Sequence, residues 1–412
     1  MATRTLRSVA QGALATDFVL YLRAMHWPAA AIGALLGAAQ LAGGALGLGV
    51  GPLSDRLGRR PLLLVYQIGL ALCTGLVLLD PRGTVLVAGA LLFGYGLGAN
   101  GAAGPFSPAE QAWLARHVPA VERGSVFSLN AALGFCGMGA GSILAGLVPL
   151  WARWLPGPAA FSPLFWLTLA VAAANWWQIA RLPEARGDEG PTAGRAAPPG
   201  PSSGGAGGGA DAPAVRREEN RALALLSAVN AVNALGIGIF APLLPYWFAA
   251  RYGVGAGAVG SVFAVTFFLT AAASVATGEL VARIGLVRSI VALRFVGVAL
   301  LAAMPFMPHF SWAAALYVVR SVLNRGSVGA RQAFGVGLVG DRRRGLASSL
   351  NNVSWSLPAA AGPALSGWLM ALGSLDLPFY LAAALQLAYA VLFGTVMRRY
   401  DVPAAGRGPR TA

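Results

Sequence analysis

Twelve apolar stretches, each close to the length of a membrane crossing, set the possibilities for this chain. They fall at about 6–24, 29–50, 62–79, 84–115, 125–150 and 161–181, then at about 221–249, 256–280, 287–307, 312–338, 345–372 and 377–397. A hydrocarbon core about 30 Å thick takes roughly 20 apolar residues in helical form. Inside it every backbone N–H and C=O must be satisfied within the segment, which a helix does. Charged residues make up only 11% of the chain, against about 25% in a soluble domain, so there is too little polar surface to wrap a water-soluble globule. The expectation is an all-α membrane protein with twelve transmembrane helices arranged as two six-helix bundles.

Between the two sets of six lies a stretch containing Pro198-Pro-Gly-Pro-Ser-Ser-Gly-Gly-Ala-Gly-Gly-Gly-Ala210, a composition that cannot pack and reads as a flexible linker. The predicted organisation is therefore an N-terminal bundle over 1–183, a linker over 184–219, a C-terminal bundle over 220–397 and a tail over 398–412.

The formal net charge of +15 would suit a nucleic-acid binder, but the distribution of the charge argues otherwise. All 30 basic residues are arginine, and most occupy the short gaps between apolar blocks. With the N-terminus inside and the helices alternating, 22 arginines fall on cytoplasmic segments and only Arg23, Arg82, Arg153 and Arg251 fall outside. That is the positive-inside pattern. It predicts an inner (plasma) membrane protein with both termini in the cytoplasm and no nucleic-acid partner. Trp27, Trp151, Trp154, Trp247 and Trp312 fall at the opposite edges, as an aromatic belt. Arg4 and Arg7 before an apolar stretch imitate a signal peptide, but Asp17 interrupts that stretch and the first helix is expected to be kept.

Cys73 and Cys136 lie inside apolar blocks and imply neither a disulfide framework nor a metal site. His26, His117 and His309 fall near predicted loops. The chain carries no Gly-x-x-x-x-Gly-Lys phosphate loop, and no nucleophile–base constellation stands out. Neither an enzyme nor a cofactor is expected.

The two halves repeat. Arg123-Gly-Ser-Val-Phe-Ser-Leu-Asn130 matches Arg344-Gly-Leu-Ala-Ser-Ser-Leu-Asn351 at an offset of 221. The same offset brings Gly141 to Gly362, Leu144 to Leu365 and Gly146 to Gly367. Gly51, Leu53, Arg56 and Gly58 meet Gly278, Leu280, Arg283 and Gly285 at an offset of 227. Two like halves joined by a cytoplasmic linker are expected to be pseudo-symmetric about an axis along the membrane normal, with a substrate site between them near the midplane.

At Gly51 a family resemblance becomes specific. Gly51-Pro-Leu-Ser-Asp-Arg-Leu-Gly-Arg-Arg-Pro61 resembles the loop signature of the major facilitator superfamily between its second and third helices. The second half has a degenerate copy, Gly278-Glu-Leu-Val-Ala-Arg-Ile-Gly285, in which Ala282 stands where Asp55 stands. The resemblance covers the whole chain, and Arg320 through Gly367 is most similar to permeases near the drug and metabolite exporters. It implies a gating loop of Gly51, Asp55, Arg56, Gly58, Arg59 and Arg60. Gly51 and Gly58 would permit a tight turn, and Asp55 would cap a helix or pair with an inner-gate arginine. The arginines would hold the loop to the cytoplasmic face and to anionic lipids. The alternative is that the loop serves topology alone.

The resemblance further implies that helices 1, 4, 7 and 10 line the pore. Helical spacing is consistent with that. At 100° per residue, Arg320, Asn324, Ser327 and Arg331 share one stripe of helix 10. Helix 4 gathers Asn100, Gly104, Ser107 and Gln111 with Glu110 beside them, helix 7 carries Ser227, Asn230 and Asn233, and helix 8 carries Thr266, Thr270, Ser274 and Thr277. Ions inside a membrane are costly and seldom accidental. Arg320 and Arg331 are therefore cavity candidates, with a structural ion pair as the alternative. Arg325 points about 140° from Arg320 and is expected to pack between helices, while Arg294 is expected to snorkel to an inner surface. Asp17, deep in helix 1, is a proton or substrate site unless it pairs with an arginine. Glu110 and Arg331 occupy equivalent repeat positions and form a candidate gate pair. Pro242 and Pro245 are expected to kink helix 7, and Pro105 and Pro108 helix 4. Gly134, Gly137, Gly139 and Gly141 in helix 5 and Gly362, Pro363 and Gly367 in helix 11 predict close helix packing; this segment resembles, loosely, the antiporter signature of exporters.

The expected partners are a small-molecule substrate, protons and membrane lipids, and the family implies a monomer. The favoured function is proton-coupled export, by antiport, of an amphipathic or anionic organic compound, because arginines outnumber acids within the spans. Uptake of a sugar, peptide or organic anion by symport is the second reading, and a membrane sensor without turnover is a third.

Overall fold

A computed structural model of the chain describes residues 2–98, 123–181, 212–284, 286–326 and 344–396; within it the side chains of 51, 52, 54–57 and 59, among others, are left undescribed. The described residues are helical apart from turns and two short 3₁₀ segments. The principal helices are α1 (Ala2–Ala24), α2 (Ala29–Leu57), α3 (Arg59–Leu79), α4 (Gly83–Phe93), α5 (Arg123–Gly146), α6 (Ser162–Arg181), α7 (Ala212–Phe240), α8 (Ala256–Ile284), α9 (Leu286–Ala303), α10 (Phe310–Gly326), α11 (Arg344–Ala371) and α12 (Leu377–Val396). The chain is thus an all-α membrane protein built from twelve transmembrane helices in two six-helix bundles. The expected linker lies mostly outside the described residues, although α7 already begins at Ala212.

Among the described residues, α2, α3, α5, α6, α8, α9, α12 and α7 with its continuation are long and apolar enough to cross a membrane. The four others differ for physical reasons. The helix α1 carries Arg4, Arg7, Asp17 and Arg23, α10 carries Arg320 and Arg325, and α11 is rich in Asn and Ser. Helix α4 was expected to run through the block 84–115, but it stops at Phe93, where Gly94 takes left-handed backbone (φ 74°). The polar groups on α1 and α10 are turned inward: α1 is buried almost continuously from Arg7 to Leu22, and Arg320, Ser321 and Asn324 are buried on α10. Large exposed side chains concentrate instead on α3 (Val65, Leu72, Leu76), α6 (Trp166, Trp177), α9 (Phe295, Val296) and α12 (Leu387, Val391, Leu392). Those are the third and sixth helices of each bundle, and they present the face that lipid would cover.

The repeat in the sequence reappears as matched packing. Helix α5 runs against α1, and its counterpart α11 runs against α7. A Cβ on Gly141 would collide with the Val9 carbonyl and the Ala13 amide of α1, and a Cβ on Gly362 would collide with Gly238 and Ile239 of α7. These two glycines are the pair matched at an offset of 221. The bundles meet each other by the same symmetry, α5 on α8 and α11 on α2. Gly146 lies against Gly260 of α8, and Gly367 lies against Gly33 of α2. Gly33 and Gly260 are themselves related by the offset of 227 that the loop signatures share. Small residues let the backbones touch where no side chain would fit. Both crossings lie at the end of the molecule that holds the α1–α2 turn. There the Arg23 guanidinium also sits 5.3 Å from the ring centre of Tyr246, joining α1 to the end of the seventh span.

Candidate functional site

The seventh span breaks where its prolines predict. Helix α7 ends at Phe240, and a short helix, Leu244–Tyr252, resumes beyond Pro242 and carries Pro245 in its first turn. The segment is fastened from several sides. Trp247 donates from Nε1 to Asp376 Oδ1 (3.2 Å), Arg251 pairs with Asp376 Oδ2 (3.3 Å) and donates to the Pro305 carbonyl (3.2 Å), and the Tyr252 hydroxyl donates to the Met307 carbonyl (3.0 Å). Trp247 therefore departs from the expected belt. It is fully buried, stacked 4.3 Å from Phe379, because its indole N–H has a carboxylate partner inside the protein. Trp154 and Trp312 remain exposed.

Breaking α7 at Phe240 also opens a cavity inside the C-terminal bundle. It is lined by Ile237, Phe240 and Ala241 of the seventh span, Arg294 of α9, five residues of α10 (Tyr317, Arg320, Ser321, Asn324 and Arg325) and Trp355 of α11, has a volume of about 70 Å³ and opens at a mouth. Arg320 and Asn324 come to it from one stripe of α10, as their spacing predicts. Arg320 Nη2 donates to Gln386 Oε1 of α12 (2.8 Å), and its guanidinium lies 4.1 Å over the Phe240 ring. Arg325 reaches the same cavity although it points 140° away along the helix. Its long arm folds back, with its guanidinium 4.9 Å from the Phe267 ring centre of α8.

Arg294 overturns its expectation. It does not snorkel: it is 1% exposed, lines the cavity and lies 5.2 Å from the Tyr389 ring centre. It stands eight residues inside α9, about 12 Å of helix rise, and a guanidinium arm cannot span that distance to the surface. Among the described residues, no acid lines this cavity.

The N-terminal bundle carries the opposite charge. Asp17 is 1% exposed on α1, and neither carboxylate oxygen has a hydrogen-bond partner among the described residues. The expectation that it might pair with an arginine is not met there. Its neighbour Thr16 donates to the Gly12 carbonyl (2.8 Å) and lies 2.9 Å from the Ser142 hydroxyl of α5. On either side of the helix Phe18 and Tyr21 enter an aromatic cluster with Tyr95, Phe161 and Phe165. Tyr95 closes it through a 2.5 Å contact with the Thr74 hydroxyl.

The remaining sequence candidates divide. Asn233 is fully buried on α7 with both side-chain polar atoms without partners among the described residues, and Asn230 is half-buried and engaged. Thr266 and Thr270 on α8 turn their hydroxyls onto carbonyls one turn back (2.7 and 2.6 Å), which satisfies them within the helix. Asn100, Glu110, Gln111, Ser327 and Arg331 lie outside the described residues, as do Pro105 and Pro108. In the signature loop only Gly58 makes the turn: it separates α2 from α3 at φ 88°, while Gly51 continues α2 as helix. Asp55 sits in the last turn of α2, and the N-cap of α3 is Gly58 with no side-chain cap. Arg60 donates to the Ala180 carbonyl near the end of α6, which ties α3 to its neighbour. The side chains of Asp55, Arg56 and Arg59 are not among those described.

The sequence matches the family model described as Major Facilitator Superfamily over residues 2–221 and 226–412. No curated protein matches it. Its fold is similar to those of several solved transporters, all at low identity. The nucleoside transporter NupG has a TM-score of 0.68 at 12% identity, with 96% of this chain and 98% of that one covered. The D-xylose–proton symporter has a TM-score of 0.68 at 14% identity, with 96% of each chain covered. The human organic anion transporter MFSD10 (TETRAN) has a TM-score of 0.60 at 16% identity, with 95% and 97% covered.

Proposed function

The chain belongs to the Major Facilitator Superfamily, and from that premise we propose that it exports an amphipathic or anionic organic compound in exchange for protons. Membership makes it a secondary transporter rather than an enzyme, a multi-pass membrane protein that binds a small solute and moves it by alternating access between its two bundles. The finer reading rests on one observation: a carboxylate, Asp17, without hydrogen-bond partners among the described residues is buried in one bundle, and an arginine-lined cavity is buried in the other. An isolated carboxylate in an apolar interior is costly when charged, so it serves to load and release a proton as water reaches it from alternate sides. The arginine cavity favours a substrate with negative character.

The arginine distribution supports an inner-membrane location with both termini in the cytoplasm. In that orientation the Gly33–Gly367 and Gly146–Gly260 crossings close the outer side, and the signature loop stands at the inner gate, with lipid headgroups beside its arginines. The chain works as a monomer in this account, with the bundles divided near the linker at 184–219. The loose likeness of the glycine-rich α5 to an exporter signature supports antiport.

The test is reconstitution in liposomes holding a trapped pH dye under an imposed proton gradient, with panels of organic anions, lipophilic cations and sugars. The proposal expects an anion to drive proton movement opposite to its own, and Asp17→Asn to abolish the signal. Co-directional movement would establish uptake by symport instead. Solute movement without protons would leave a facilitator.

A further inference from the structure

Arg294 presents a physical problem that the fold alone does not solve. Its guanidinium is enclosed in the C-terminal bundle, and none of Nε, Nη1 and Nη2 has a hydrogen-bond acceptor among the described residues. The flank of the Tyr389 ring is its neighbour. Cation–π attraction amounts to about 2 kcal/mol when desolvated, whereas removing a cation from water costs several kcal/mol even after the protein relaxes. Arg320 is only partly better served. One nitrogen reaches Gln386, Nε is left over, and the Nε2 amide of Gln386 is itself buried without an acceptor. Arg325 adds a third positive charge to the same walls, and among the described lining residues there is no carboxylate. Three guanidiniums around one cavity also repel one another. A stability role does not account for the arrangement, because apolar side chains of similar volume would fill the site at lower cost.

We propose that this cavity is the subsite for the charged head of an aromatic organic anion, a planar ring bearing a carboxylate or phosphate. The proposal deepens the transport reading above by naming the substrate class and the groups that recognise it. Donors converge on the cavity from two helices, Arg294 from α9 and Arg320 and Arg325 from α10, and Gln386 of α12 holds Arg320 from behind by accepting at Oε1. Guanidinium forks match the two oxygens of a carboxylate or the face of a phosphate. The other walls include Phe240, Ile237 and Trp355, flat or apolar surfaces suited to the ring and unsuited to a sugar. The head group thus supplies the acceptors that Arg294 and Arg320 lack. Because the walls are drawn from α7, α9, α10 and α11, occupancy would bind the helices of this bundle to one another.

Binding is measured on the full chain in nanodiscs by equilibrium dialysis. The probes are radiolabelled 2-naphthoate and naphthyl phosphate, with 2-naphthamide as the neutral ring and inorganic phosphate as the head alone. The expected result is saturable binding of a naphthyl anion, competition by the other anion but not by the amide, and weaker competition by phosphate alone. Removing one member of a buried charge network costs enough to weaken binding about 30-fold or more, so Arg294→Gln and Arg320→Gln should each show that loss. Gln386→Leu should weaken binding by a smaller factor, and Arg82→Ala, at an exposed ion pair in the other bundle, should bind as the parent does. Equal competition by the amide in the unmodified protein overturns the proposal without recourse to any variant that fails to fold. So does the absence of anion binding, and so does binding that survives both arginine changes. If anion binding depends on the arginines but no protons move in liposomes, the subsite stands and the coupling reading fails. If protons move with a neutral or cationic solute and no anion binds, the coupling stands and the subsite fails.

Discussion

The two bundles share a scaffold and differ in what they bury. In both, the fifth helix lies against the first through a glycine at the same repeat position, Gly141 and Gly362, and each bundle crosses onto the other through a second pair, Gly146–Gly260 and Gly367–Gly33. Their interiors differ in charge. Among the described residues the N-terminal bundle buries one carboxylate, Asp17, and one arginine, Arg7, on α1, and the C-terminal bundle lines a cavity with three arginines and no acid. Backbone contact has to be kept in both halves because each rocking surface needs it, whereas a charge need be kept only where it acts. On the proposed reading, the proton is handled in one half and the anion in the other.

The largest effect that would break this division is at Arg320. Arg320→Gln is expected to reduce solute flux in liposomes to background while the protein remains folded, as size exclusion and circular dichroism would check. Wild-type flux in that variant would remove the C-terminal bundle from substrate recognition. Next comes the symmetry itself. Gly141→Val and Gly362→Val each force a side chain into a backbone contact, so each should destabilise the fold by about 1–3 kcal/mol, and by similar amounts in thermal unfolding in detergent. A large cost at one and none at the other would mean that the repeat is not matched in packing. Arg294→Met sharpens the electrostatic side. Replacing an uncompensated buried cation by an apolar chain should raise the apparent melting temperature while anion binding is lost; a fall in melting temperature would make Arg294 a structural residue. The smallest effect is expected at Arg251→Ala. Its pair with Asp376 is partly exposed, with 40% and 29% of the two side chains accessible. Such pairs contribute about 0–1 kcal/mol, so stability should change little, and a large loss would show the end of the seventh span to be more tightly clamped than its exposure indicates.

The scaffold was legible in the sequence because its signals are local and periodic. Apolar block length gives the spans, and the repeat offsets give the matched glycines, including the Gly33–Gly260 relation that appears once the crossings are seen. The stripe of Arg320 and Asn324 was legible for the same reason, since 3.6-residue spacing fixes which side chains share a face. The rest of the cavity was not, because spacing along one helix does not tell which neighbour it faces. Arg294, Trp355 and Gln386 arrive from three other helices. Arg325 packs against Phe267 of α8 and also borders the cavity, which an angle at the Cα alone does not reveal. Arg294 could have been found by counting residues to the helix end, which lies too far for snorkelling.

The division of labour is tested most directly by substrate counterflow in liposomes without a proton gradient, comparing the parent protein with Asp17→Asn. Counterflow exchanges labelled for unlabelled solute and needs no net proton transfer. The account predicts that Asp17→Asn keeps exchanging an aromatic anion while its proton-driven accumulation is lost. Loss of counterflow with the fold intact would place Asp17 in substrate binding, and proton-driven transport that survives the change would contradict the central claim outright.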